Sequence, residues 1–591
     1  MKSLILRAAA CAMIAATGAC ATLEPVAEVV AAAGVSESAK LKTLLEASES
    51  AELERNPITA FYRGNFANAH RLTDYSPAYF AAERAAAEAN IAALALIDRG
   101  ELGGLDQIAY DTFEYANRRT LEATSPQVLP TILALPLDHF TGLHADYPGF
   151  SATDGMMPFK TQQDYANNVS RHADFARIVD ASIARFRDGV AQGITLPRLT
   201  VEMMIKQLDT QLGAPVEEDA YYAPLRTFPA DFTEAQKEEA RAALTASHDN
   251  VLFPALRKLR AYLADEYLAQ ARDTIAASAP PGGDAYYKYR VAEMTTLPLT
   301  AEEIHQTGLS EVARISKAIA QTKEELGGRT AQTYTDKEAL TKAWYEIGEK
   351  VDPLLDQLFL RKPNAPLEIK PYEPYREQFF LAASYQPGEA DGSRPGTFYF
   401  SGWNLPERKL YPTIRLYLHE GNPGHHFQVM FARENQELPA ILRESWFTSY
   451  GEGWALYAEY LGYELGIYDD PLARLHALET GEMHRAVRLV VDTGMHALGW
   501  SREKAIDFMV QNGSARDYAA NETARYIAMP AQALGYKIGE LKIKQLRARA
   551  ETALGDRFDV RRFHDEVLNS GNIPLPVLEA KIDAWIAGGG V

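Results

Sequence analysis

Residues 411–426 begin with a helix-like run, Tyr411 to Leu418, and pass directly into His419-Glu420-Gly421-Asn422-Pro423-Gly424-His425-His426. Three of the chain's 13 histidines fall within these last eight positions, beside a glutamate. In a helix of the H-E-x-x-H kind, one turn sets two imidazoles on one zinc ion and aims the glutamate at the bound water. Here the second histidine comes later: His425 follows His419 by six residues and His426 by seven. On a regular helix seven residues restore the direction but rise about 10 Å. That is too far for two ligands that each sit about 2.0–2.1 Å from zinc. Pro423 breaks the hydrogen-bond ladder and Gly424 admits unusual torsions, so a bulge is the expected remedy. It would return His425 to the second ligand's place, because the tight turn ends at Gly424; His426 is the alternative.

Two histidines leave a catalytic zinc site one protein ligand short. Downstream, Tyr450 to Glu459 is a helix-like stretch whose acidic residues, Glu452 and Glu459, lie seven apart and share a face. Glu452 is the expected third ligand, and Glu459, two turns on, the expected acceptor that steadies an imidazole. Zinc is the expected cofactor, one per chain, although a His and carboxylate set also admits manganese or cobalt. Glu420 is then the general base that takes a proton from water and delivers it to the leaving group. Arg488, Asp492 and His496 recur every four residues on a predicted helix, either as support behind the metal or as a buried ion pair. Arg525 and Lys537 are candidates to hold a peptide's terminal carboxylate, and Tyr399 and Asn404 to line the approach; surface charge and ordinary packing are the competing readings.

Outward from this region the chain reads as helix after helix. From Ala78 to Arg99 and from Glu234 to Ala276, apolar residues recur at three and four. Ser76-Pro77 suits a helix start, and Thr233 with Gln236 and Thr300 with Glu303 have the spacing of capping boxes. The fold is expected to be mainly α: a large two-lobed helical body with a deep central cleft and a small β element beside the metal site. Ala279-Pro280-Pro281-Gly282-Gly283-Asp284 is the clearest break, separating an N-terminal helical lobe, 22–283, from a catalytic lobe, 284–591. Between Pro363 and Pro406, Pro, Gly and aromatics take over. Thr397 to Phe400 is a predicted strand, suited as an edge to bind a peptide by strand addition.

The chain of 591 residues is 47% hydrophobic and 24% charged, with 30 Tyr and 6 Trp, the composition of a globular protein with a large core. A net charge of −19 argues against a nucleic-acid partner. Residues 1–21 have the basic start, short apolar run and small residues of a secretory signal peptide. Both cysteines, Cys11 and Cys20, lie there, so no metal ligand can be a thiolate beyond Cys20. Thr17-Gly18-Ala19-Cys20 resembles a lipoprotein box, which would anchor an exported, periplasmic chain to a bacterial membrane through Cys20. Ala19-Cys20-Ala21 equally fits ordinary cleavage and plain secretion. No G-x-S-x-G elbow occurs, which removes the usual serine hydrolase signature. Nothing in the residues fixes an oligomeric state.

Five segments together resemble the bacterial family called domain of unknown function 885 over most of the chain. They are Leu299 to His305, His419 to His426, Gly451 to Ala455, Val491 to His496 and Ala531 to Lys537. Their order is also remotely similar to helical zinc peptidases of the gluzincin type: angiotensin-converting enzyme, neurolysin-like oligopeptidases and thermostable carboxypeptidases. That likeness implies two histidines and a later glutamate on the metal, and a late tyrosine steadying the tetrahedral intermediate. Ala524-Arg525-Tyr526-Ile527 resembles the segment bearing that tyrosine, which gives the role to Tyr526, with Tyr536 the alternative. The expectation is a zinc-dependent hydrolase of short peptides. A zinc hydrolase of other amides or esters and a metal-binding lipoprotein without turnover are the alternatives.

Overall fold

Local signals place the helix starts. Ser76 caps the helix Pro77–Leu94 by accepting from the Tyr79 amide. Thr233 with Gln236 and Thr300 with Glu303 form reciprocal capping boxes ahead of Glu234–Ser247 and Ala301–Leu326. In each, side-chain oxygens satisfy amides that the first turn leaves without partners. The computed structural model describes residues 34–151, 155–372, 377, 383–408 and 410–590. The signal-like segment and Cys20 lie outside the described residues. The protein is mainly helical with one small sheet. No helix of the described residues is long and apolar enough to cross a membrane.

Two compact units are distinguished, one running to Asp273 together with Pro280–Gly282, the other comprising Thr274–Ala279 and everything from Gly283. The first unit packs around α1 (Gln162–Ala191), with Tyr147, Phe175, Phe186, Leu252 and Tyr267 in its core. The helical run expected over 234–276 ends at Gln270 and is not uniform. It widens into π-helical turns at His248–Leu252 and Leu263–Tyr267. Pro254, just after the first of these, has no amide hydrogen to continue a regular ladder.

In the second unit α2 (Ala301–Leu326) precedes a three-stranded sheet of β1 (Leu367–Pro371), β2 (Ala383–Gln386) and β3 (Gly396–Phe400). Next come α3 (Ile414–Glu420), α4 (His425–Arg433), α5 (Thr448–Tyr460) and α6 (His484–His496). α7 (Arg516–Ala528) and α8 (Leu534–Leu554) follow. The strand order is β1-β3-β2, with β1 parallel and β2 antiparallel to β3. The predicted strand is therefore the middle one. Both its edges are already paired, so β3 cannot take up a peptide by strand addition, contrary to the expectation from its sequence. The sheet rests on α3 and α4, and α5 crosses α8 with backbone almost in contact. A Cβ on Gly453 would lie 2.6 Å from the Gly539 Cα, so only glycine permits this approach.

Candidate metal centre

The segment 419–426 is not one bulged helix but two helices with a turn between. α3 stops at Glu420, Asn422-Pro423 is a cis peptide, and α4 starts at His425. Gly424 presses against the end of α3: a Cβ there would lie 2.0 Å from the His419 carbonyl oxygen. The Trp454 indole on α5 donates to the Pro423 carbonyl at 2.8 Å. Asp352 accepts from the Tyr417 hydroxyl at 2.8 Å and from the Asn422 amide at 3.3 Å. Starting a new helix achieves what a bulge cannot, since it frees the direction of His425 from the axis of α3.

His419, His425 and Glu452 each offer an atom within 4.8 Å of the others. Glu452 Oε2 lies 3.6 Å from His419 Nε2 and 3.4 Å from His425 Nε2. Donors about 2.05 Å from a tetrahedral zinc stand about 3.3 Å apart, so these separations suit such an ion. Glu452 Oε2 is buried without a hydrogen-bond partner, an acceptor that a cation would satisfy. Two imidazoles and a carboxylate, all buried or nearly so, are a zinc-type donor set. Burial pushes the Glu452 carboxyl up, but the adjoining His419 and His425 imidazoles outweigh it and hold the group well below the usual carboxylate range.

His426 faces elsewhere. Its Nε2 meets the Ala365 carbonyl at 3.0 Å and its Nδ1 the Tyr385 hydroxyl at 3.0 Å, so both ring nitrogens are occupied by the sheet side. Glu459 sits where the seven-residue spacing from Glu452 predicts, its Oε1 2.8 Å from His419 Nδ1. This leaves Nε2 of that ring for the cluster. Arg415 donates to the same Glu459 oxygen at 3.3 Å and to Thr480 Oγ1 at 2.8 Å. Burial disfavours a charged His419, but the neighbouring Glu452 carboxylate, the hydrogen bond to Glu459 and the nearby Glu420 carboxylate raise its pKa to about 9. Glu420 is itself 6% exposed. Trp446, 49% exposed, stands 5.8 Å from the His425 ring.

Other expected site residues are employed differently. The Tyr526 hydroxyl is buried, donating to Glu522 at 2.6 Å and accepting from Arg488 Nε at 2.9 Å. It is thus committed to α6 and its own helix, and among the described residues no hydrogen bond or ring contact joins it to His419 or His425. Asp492 accepts from Tyr287 at 2.7 Å and from the Ala531 amide at 3.0 Å, while His496 bonds the Ala277 amide and the Tyr526 carbonyl. These two are therefore structural, although they share a helix with Arg488. Lys537 is fully buried and its charge is already met by Glu540 at 2.7 Å and Glu311 at 3.2 Å, which commits it to these carboxylates rather than to a peptide's. Tyr399 stacks on Tyr372 at 5.4 Å, and Asn404 bonds Glu407 at 2.8 Å. Arg415, Thr480 and Asp352 were not singled out from sequence. Only Arg415, one turn before His419, had a signal there.

Among solved structures the chain is similar to "the putative lipoprotein from Colwellia psychrerythraea". The identity is 26% and the TM-score 0.84, over 94% of this chain and 100% of that one. It also shares its fold with "a putative lipoprotein of unknown function from Shewanella oneidensis", at 17% identity and a TM-score of 0.69 over 91% and 99% of the two chains. No curated protein matches. The profile of one family spans residues 57–582, and the chain accordingly belongs to the bacterial proteins of unknown function grouped as DUF885.

Proposed function

We propose that this protein is a zinc-dependent hydrolase that cleaves short peptides. The observation that carries the reading is a partnerless, buried Glu452 Oε2 at 3.6 Å from His419 Nε2 and 3.4 Å from His425 Nε2, with ligand atoms of all three residues within 4.8 Å of one another. A bound zinc ion would supply Lewis acidity toward a carbonyl and lower the pKa of its water. Glu420, the residue after His419 and buried, would take a proton from water and return it to the leaving nitrogen. Glu459 and Arg415 hold the His419 ring in the orientation that presents Nε2. Trp446 offers an exposed aromatic face for a substrate side chain beside His425. A ligand-only site has no use for a base next to its first ligand, which favours turnover over simple metal binding. A peptidase-like helical body is part of the proposal. So is export with a lipid anchor at Cys20, for which the lipoprotein-like box and the names of the structural relatives speak.

The test is metal analysis and hydrolysis of a broad short-peptide library by the full chain, with Glu420→Gln alongside. The expected result is one zinc per chain in both proteins and hydrolysis at least about a hundredfold slower in the variant. Zinc-loaded wild type that cleaves nothing in the library would sink the proposal.

A further inference from the structure

Behind the metal ligands the second unit encloses more positive charge than it pairs. Arg415, Arg485 and Arg488 are 9%, 8% and 5% exposed. Arg525, on α7, keeps 23% of its side chain exposed. Two carboxylates answer these four guanidiniums. Glu459 lies 3.3 Å from Arg415, and Glu522 lies 2.9 Å from Arg488 and 3.7 Å from Arg525. Arg485 makes no ion pair among the described residues. Its one hydrogen bond, from Nη1, goes to the Thr480 carbonyl at 2.8 Å, and its Nε is buried without a partner. Arg488 spends Nε on Tyr526 and Nη2 on Glu522, while its Nη1 is likewise buried and partnerless. Both guanidiniums lie over the ring of Tyr536, at 5.8 and 4.8 Å. His484 registers the excess: burial first, then the charges of Arg488, Arg485, Arg415 and Arg525, hold its imidazole well below its usual range.

Buried charge without a counter-charge is costly, and unmet guanidinium N–H groups are rarer still in a folded core. We propose that Arg485 and Arg488, over the ring of Tyr536, form a receiving site for the terminal carboxylate of a peptide substrate. Two unpaired N–H donors, one from each guanidinium, match the two oxygens of a carboxylate through charge-assisted hydrogen bonds. The site is linked to the metal ligands through Thr480, whose carbonyl accepts from Arg485 and whose hydroxyl accepts from Arg415, the residue that also donates to Glu459 behind His419. Tyr526 and Glu522 are positioning residues that hold Arg488. The inference rests on the peptidase reading and gives it a direction: cleavage near a free C-terminus, with amidated peptides refused.

The probe is the tripeptide Ala-Ala-Phe as free acid and as C-terminal amide, titrated calorimetrically into the full chain after metal removal with EDTA. In that protein neither zinc coordination nor hydrolysis can create a preference. Wild type is expected to bind the acid roughly tenfold to a hundredfold more tightly than the amide, the range for charge-assisted hydrogen bonds. Arg485→Gln and Arg488→Gln should each abolish the difference, and Arg488→Lys should keep part of it. Arg485 gives up a main-chain bond and its contact with the Tyr536 ring but no ion pair, so Arg485→Gln keeps the test alive if Arg488→Gln, which also loosens Tyr526, fails to fold. Equal binding of acid and amide, binding of neither at millimolar concentration, or a preference that survives both replacements would overturn the site. Sodium chloride or acetate that raises the melting temperature while acid and amide bind alike would show a free-anion site instead and also overturn it. Acid preference in a protein that never hydrolyses peptides would remove the peptidase and leave this site. Hydrolysis without acid preference would do the reverse.

Discussion

Replacing Glu459 by Gln tests whether the ring of His419 is held for a metal. Glu459 Oε1 takes the Nδ1 side of His419 at 2.8 Å and an Arg415 hydrogen bond at 3.3 Å, in a pocket that leaves its carboxylate 5–6% exposed. A glutamine keeps the shape but removes the charge. Its amide either presents Nε2–H₂ to a donor or leaves Arg415 with a neutral acceptor. Loss of such a partner behind a ligating histidine costs about 10- to 100-fold in metal affinity, roughly 1.4–2.7 kcal/mol. The assay is zinc competition against a chromogenic chelator, with thermal melting as an independent readout. At free zinc a hundred times the wild-type Kd, binding adds about 2.7 kcal/mol to stability. A hundredfold weaker variant would retain about 0.4 kcal/mol of that. Wild-type and variant affinities within a factor of two would refute the idea that Glu459 orients a metal ligand.

Gly453→Ala would put a methyl 2.6 Å from the Gly539 Cα, force α5 from α8 and lower stability by about 1–3 kcal/mol. Because Glu452 is the preceding residue, zinc affinity should fall with it, whereas unchanged melting would disprove the tight crossing. Lys537→Met takes away one of the two lysines that meet the buried Glu540, leaving Lys544 at 2.5 Å, and should cost about 1–3 kcal/mol in denaturant titrations, with hydrolysis per folded molecule unchanged. A selective loss of activity would instead give Lys537 a place in the site. In the first unit burial lowers the pKa of His139, His144 and His248 to about 4, and both ring nitrogens of each are without partners. The unfolded chain takes up these protons near pH 6.5 and the folded one only near 4. Their contribution is therefore full above pH 6.5 and lost as the pH falls from there toward 4. Asp146, raised by burial to about 6, works the other way and offsets part of the loss. Melting temperature should drop between pH 6.5 and 5, and His248→Phe should flatten the slope; a melting temperature independent of pH over that interval would refute it.

Short-range chemistry was legible without coordinates. Ser76, Thr233 and Thr300 announce helix starts because a cap needs only its own first turn. The spacing of Glu452 and Glu459 puts both on one face because a helix repeats every 3.6 residues. The crowding of histidines at 419–426, with Pro423 and Gly424 among them, likewise told that the helix must be interrupted there. What remained depends on residues far apart in the chain. His425 rather than His426 joins Glu452 because the 421–424 turn is pinned by Trp454 and Asp352 and because the sheet occupies His426 through Tyr385 and Ala365. Tyr526, given a role by the resemblance to helical zinc peptidases, and Lys537, a candidate by charge, are claimed by Arg488 with Glu522 and by Glu540 with Glu311. β3, a convincing edge by composition, has partners on both sides because β1 and β2, both earlier in the chain, pair with its two edges. The chemistry available to this protein was written in residue types and spacings a turn or two long. Which of those residues meet was decided by packing, since pairings across tens of residues leave no periodic trace in the sequence.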